Sequence, residues 1–149
     1  MTLKEQLRAD LTTAMKGRDE LRSATLRMVL TAVTNEEVAG AQSRQLSDDE
    51  VLGVLGREAK KRREAAEAYA GAGRGELADR ELGELSVIEG YLPAQLSDEE
   101  VAAAVRAAIA ETGAQGPRGM GQVMKVLQPR VKGRVDGGRL AAEVRRQLA

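Results

Sequence analysis

The sequence predicts an all-α chain, with an N-terminal four-helix unit followed by a C-terminal three-helix unit. Three observations carry this expectation. Apolar residues recur at three- and four-residue steps along the chain, and nothing in the first 92 residues reads as a strand. The prolines, Pro93, Pro117 and Pro129, all fall after that point. Two Ser–Glu capping boxes, Ser47 with Glu50 and Ser97 with Glu100, mark helix starts.

The first helix runs from about Leu3 to Lys16, with Leu3, Leu7, Leu11 and Met15 on one stripe. Thr2 can cap its start, and Gly17 can end it. Asp19 begins the second helix, whose apolar face is Leu26, Val29, Leu30 and Val33; Gly40 ends it. The Ser47 box opens the third, which buries Val51, Val54, Leu55, Ala59, Ala66 and Tyr69. Gly53 and Gly56 lie inside it at a cost of about 1 kcal/mol each against Ala, which marks close packing. It stops in Gly71-Ala72-Gly73. The fourth spans about Glu76 to Tyr91 and buries Leu77, Leu85, Ile88 and Leu92.

Pro93 biases Leu92 away from the α region, so a boundary is expected there. Residues 1–92 form one helical domain and residues 93–149 the other. In the second, the Ser97 box opens a helix burying Val101, Ala104, Val105, Ala108 and Ile109 and ending at Gly113. A short helix from Met120 to Gln128 turns Val123, Met124 and Leu127 inward, and Pro129 ends it. Asp136 caps the last helix, with Leu140, Val144 and Leu148 at four-residue steps.

Composition narrows the chemistry. Cysteine and histidine are both absent, which excludes disulfides, thiolate nucleophiles, Cys/His zinc sites and an imidazole base. No apolar run approaches 18 residues, and residues 1–6 carry charge in place of an apolar signal core. A cytoplasmic setting without membrane contact is the expectation. The net charge of +0 hides a gradient: residues 1–92 carry 14 Lys+Arg and 17 Asp+Glu, whereas residues 118–149 carry 8 and 2. A basic end on a neutral chain suggests a polyanion partner; a solvated basic face is the plainer alternative.

The sharpest local feature is Pro129-Arg130-Val131-Lys132-Gly133-Arg134-Val135-Asp136-Gly137. Read as an extended loop, it points Arg130, Lys132 and Arg134 one way and Val131 and Val135 the other. The valines would anchor it while the cations met successive phosphates, and Gly133 would allow close backbone approach. A solvated loop anchored by two valines fits the same pattern. Gly119-Met120-Gly121 offers helix-start amides to an anion, or simply tight packing. Lys60-Lys61-Arg62-Arg63 fans around a helix and reads as a solvated face with i,i+4 partners Glu64 and Glu67. The acidic clusters Asp48/Asp49/Glu50 and Asp98/Glu99/Glu100 suit helix first turns. No residue set supports a catalytic, metal or cofactor assignment.

These segments together resemble a family. Lys60-Lys61-Arg62-Arg63-Glu64 leading to Ala68-Tyr69, then Ile88-Glu89-Gly90-Tyr91-Leu92-Pro93-Ala94-Gln95-Leu96-Ser97, Met120-Gly121-Gln122-Val123-Met124 and the Pro129–Gly137 segment are similar to the YqeY-like proteins. Those are stand-alone relatives of the tail of GatB, a subunit of the glutamine-dependent Asp/Glu-tRNA amidotransferase. The resemblance implies two small helical units and a link to tRNA, since the GatB tail is a tRNA-contacting appendage. It carries no counterpart of the glutaminase or transamidation centres, so any carbon–nitrogen ligase activity would rest on kinship alone.

The expected function is therefore a non-catalytic tRNA-binding module, with Arg130, Lys132, Gly133, Arg134, Lys125 and Arg118 as the RNA-binding residues. It would dock on folded RNA by backbone and shape, because the near-absence of aromatics leaves no platform for stacking splayed bases. The alternatives are a helical adaptor for an amidotransferase or aminoacyl-tRNA synthetase, or an accessory to tRNA-dependent amidation. DNA is not expected, because the Pro129–Val135 connection exceeds the roughly 3–4-residue turn of a helix-turn-helix.

Overall fold

The computed structural model describes residues 1–149 and contains helices and no strand. Side-chain caps set most of the starts. Thr2, Asp19, Ser47, Ser97 and Asp136 each accept a hydrogen bond from the backbone N–H three residues on, and Thr2, Ser47 and Ser97 complete capping boxes with Glu5, Glu50 and Glu100. The helices are α1 (Leu3–Lys16), α2 (Glu20–Glu37), α3 (Asp48–Gly71), α4 (Gly75–Glu89), α5 (Asp98–Thr112), α6 (Met120–Val131) and α7 (Gly137–Leu148); a 3₁₀ turn, Pro117–Gly119, precedes α6. The chain divides into two compact units, residues 1–92 and 93–149.

In the first unit, α3 packs along α4 and α1 along α2, with α2 also touching α3 and α4. Leu7, Leu26, Val29, Val33, Val51, Leu55 and Ile88 are almost fully enclosed. Apolar periodicity overshoots at two points. Met15 and Leu77 are exposed, because Ala14 and Ala78 occupy the buried positions beside them. At Gly83 helices approach closely: a Cβ there would lie 3.0 Å from Leu21 Cδ2. Lys4 Nζ donates to both carboxylate oxygens of Glu37 at 2.7 and 2.9 Å, and Leu46 N donates to the same carboxylate at 3.3 Å. These contacts tie the start of α1 to the end of α2 and the following loop.

The basic run on α3 differs from the solvated face expected of it. Arg62 is only 4% exposed. Four successive helical residues span most of the circumference, so one must face the neighbouring helices, and Arg62 is that one. Buried charge needs neutralising partners, and Arg62 has them: its Nη1 donates to Glu58 Oε1 at 2.8 Å, and its Nε stands 3.7 Å from Glu84 Oε2 on α4. Arg62 Nε makes no hydrogen bond, so the Glu84 contact is an ion pair without one.

The second unit has its own core, formed by Leu96, Val101, Val105, Ala108, Val123, Leu127, Val131, Leu140, Val144 and Leu148. Gly119 permits close packing, since a Cβ there would fall 2.6 Å from Ala114 Cβ. Pro129 does not end α6, which continues to Val131. Val131 follows Val123 and Leu127 at four-residue steps and is buried with them, which offsets part of the roughly 3 kcal/mol that an interior proline costs. Pro129 and Lys125 both lie on the exposed side, where water can satisfy the Lys125 carbonyl that the proline leaves without a donor.

Candidate nucleic-acid interface

Continuation of α6 through Pro129 rearranges the basic segment. In a strand, residues two apart share a face; in a helix they are rotated by about 200°. Arg130 lies in α6, Lys132 is its C-terminal cap and Arg134 sits in the turn beyond, so the three do not stand in one extended row, and the extended-loop expectation is corrected. Arg130 lies in the last turn of α6 and turns toward α5, where both its terminal nitrogens donate to the carboxylate of Glu111, one at 2.8 Å. The pairing holds the Glu111 carboxyl below its ordinary range. Lys132, the C-terminal cap of α6, is exposed and makes no ion pair.

Arg134 is turned back onto the chain. Its Nε donates to Ala94 O at 3.0 Å, and its backbone N–H donates to Val131 O at 2.9 Å. Leu96 N donates to Arg134 O at 2.8 Å, while Gln95 Nε2 donates to Gly133 O at 2.8 Å and to Pro93 O at 3.0 Å. Gly133 permits the turn by adopting φ +76°, and its Cα faces the Pro93 ring. Val131 is buried and Val135 packs against the same core. The two valines anchor the segment as the alternation suggested, although the cations do not share a face.

A different set of cations remains open. Lys125 on α6 and Lys132 at its C-terminal cap are seven residues apart, close to two full helical turns, and both are exposed. Arg118 in the 3₁₀ turn and Arg145 on α7 are also exposed and unpaired. Arg139 pairs with Asp98, and Arg146 pairs with Glu143. Sequence reasoning missed Arg145. It also missed Gln95, although Gln95 lies in the Tyr91–Ser97 segment that carried the resemblance.

The α6–α7 corner also contains a cleft of about 520 Å³. Pro129, Val131, Val135 and Leu140 form its apolar floor, with Gln128 and Lys132 at the lip. Nothing in this unit assembles a nucleophile with a base. No helix is long and apolar enough to cross a membrane.

A family model described as "Yqey-like protein" matches residues 4–148. Among curated proteins, the chain is 30% identical over 86 residues to "Altered inheritance of mitochondria protein 41, mitochondrial" of Lachancea thermotolerans, covering 58% of this chain and 46% of the relative. The protein of the same name from Clavispora lusitaniae is 30% identical over 101 residues, covering 66% and 58%. That from Vanderwaltozyma polyspora is 29% identical over 86 residues, covering 58% and 46%. The chain thus spans about half the length of the curated relatives it matches.

Proposed function

The chain belongs to the YqeY-like protein family, and from that premise we propose that it is a non-catalytic tRNA-binding module acting through its second unit. The observation that supports this reading is the set of exposed cations without ion pairs: Lys125 on α6, Lys132 at its C-terminal cap and Arg118 in the preceding turn. The unit that bears them carries 9 Lys+Arg against 6 Asp+Glu. Such groups take phosphates without reading sequence and give affinity that falls with salt. Gly133 and Arg134 shape the turn that presents Lys132, and Arg130 is held in reserve by Glu111. A folded RNA suits these cations, which are spaced along a rigid helix.

The test is a gel shift with bulk tRNA across a salt series. Wild-type protein is expected to bind. Lys125→Ala and Lys132→Ala should each make the log–log salt slope shallower by about 0.7–0.9, the share of one neutralised phosphate. Absence of wild-type binding at near-physiological salt, with co-purification of an amidotransferase or aminoacyl-tRNA synthetase, would replace this reading with the helical adaptor.

A further inference from the structure

Resting on the RNA reading above, we propose that the cleft between α6 and α7 receives the base of a single unpaired nucleotide, whose phosphate is held by Lys132. The cleft volume of about 520 Å³ lies in the range of small-ligand sites, which combine an apolar lining with a few placed polar groups. Its floor is preformed: Val131 and Leu140 are 6% and 2% exposed and belong to the core of the unit. The Gln95 and Leu96 hydrogen bonds to Gly133 and Arg134 hold the turn that leads to Val135.

The occupant must satisfy three features at once. The apolar lining of Pro129, Val131, Val135 and Leu140 suits an apolar face, and bases taken out of a helix rest between apolar as well as aromatic side chains. Lys132 at the lip is exposed and makes no ion pair, so it is free to take an anion. Gln128, also at the lip, makes no side-chain hydrogen bond and presents both a donor and an acceptor, which suits the polar edge of a base. A nucleotide carries an apolar face, a polar edge and an anion within one residue. The scarcity of aromatics excludes a platform for a run of stacked bases but leaves room for one base in an aliphatic slot.

Gly137 provides the handle for a test. It lines the cleft, and a Cβ there would meet nothing within 4 Å, so Gly137→Leu adds bulk at the cleft without a clash. Val135→Met enlarges a second lining residue and serves if the first variant unfolds. The probes are an RNA hairpin with unpaired loop nucleotides and a blunt RNA duplex of equal charge. Wild-type protein is expected to prefer the hairpin severalfold. Gly137→Leu is expected to erase that preference while keeping duplex binding and its salt slope. Titration with AMP, GMP, CMP and UMP should shift the methyl resonances of Val131, Val135 and Leu140 in wild type only. Equal binding of both RNAs by wild type, or an unchanged preference in the filled variants, overturns the cleft proposal and leaves the tRNA reading standing. Binding of neither RNA overturns the tRNA reading and this one with it. Displacement of those resonances by an acidic amphipathic peptide but by no nucleotide assigns the cleft to a protein partner instead.

Discussion

Gln95 donates through its side-chain amide to the carbonyl of Gly133 at 2.8 Å, fastening the segment that follows Pro93 to the turn between α6 and α7. The two segments lie far apart in sequence, and both are among those on which the sequence resembles the family. Their meeting gives the pattern a physical reason: one segment is the clamp and the other is the turn it holds.

Gly133 should therefore be sensitive to substitution. Its φ of +76° is strained for an L-residue with a Cβ, at about 1–2 kcal/mol. Gly133→Ala is expected to destabilise the protein by that amount, with Gly133→Asn milder because Asn tolerates the left-handed region. Urea unfolding would measure both. A neutral Gly133→Ala would mean that the turn relaxes freely and is not clamped.

The Arg130–Glu111 pair predicts unequal contributions to RNA binding. Arg130→Ala should weaken tRNA binding less than Lys132→Ala, because Glu111 already engages Arg130. Glu111→Gln should tighten binding at low salt and steepen the salt slope by about 0.7–0.9 as the freed guanidinium reaches a phosphate. Its cost to stability should be small, as for other exposed pairs. Losses of equal size for Arg130→Ala and Lys132→Ala in the same salt series would refute this ordering.

Arg62 is a stability residue. Removing it leaves Glu58 with the solvent-facing Lys61 and Glu84 with Arg80 alone, so Arg62→Ala is expected to cost about 3 kcal/mol, the low end for breaking a buried pair. In Arg62→Met/Glu58→Leu/Glu84→Leu, the triad is replaced by apolar residues of similar bulk, and much of that stability should return. Denaturant midpoints of the two variants decide the matter. A mild effect of Arg62→Ala would contradict the buried-triad account.

Stability should fall at both ends of the pH scale. Arg146, then Gln147, hold the Glu143 carboxyl down at about 2, and Arg44, then the Ser47 backbone, do the same for Glu50. A depressed carboxyl contributes stability above its ordinary value near 4.5 and loses it as pH falls toward about 2. Burial first, then the hydrogen bond to Asp10, push the Tyr91 phenol up to about 12 from 10.0, so its contribution is present below 10.0 and is lost as pH climbs to about 12. Glu143→Gln should flatten the acid limb and Tyr91→Phe the alkaline limb when urea midpoints are plotted against pH. Limbs of unchanged steepness in those variants would show that other groups govern the transitions.

Local chemistry made most of the helices legible. Capping side chains at Thr2, Asp19, Ser47, Ser97 and Asp136 act within three residues, and apolar steps of three and four residues record which face is buried, so both are written in short windows of sequence. The inward turn of Arg62 was not legible, because a buried cation is recognisable only once Glu58 and Glu84 are known to flank it. The arrangement of Arg130, Lys132 and Arg134 was not legible either. Alternation in sequence means one face in a strand and opposite faces in a helix, and the choice rests on whether α6 crosses Pro129. Burial of Val131 in a core assembled from α5, α6 and α7 favours the crossing, and that energy belongs to the packed unit rather than to the segment.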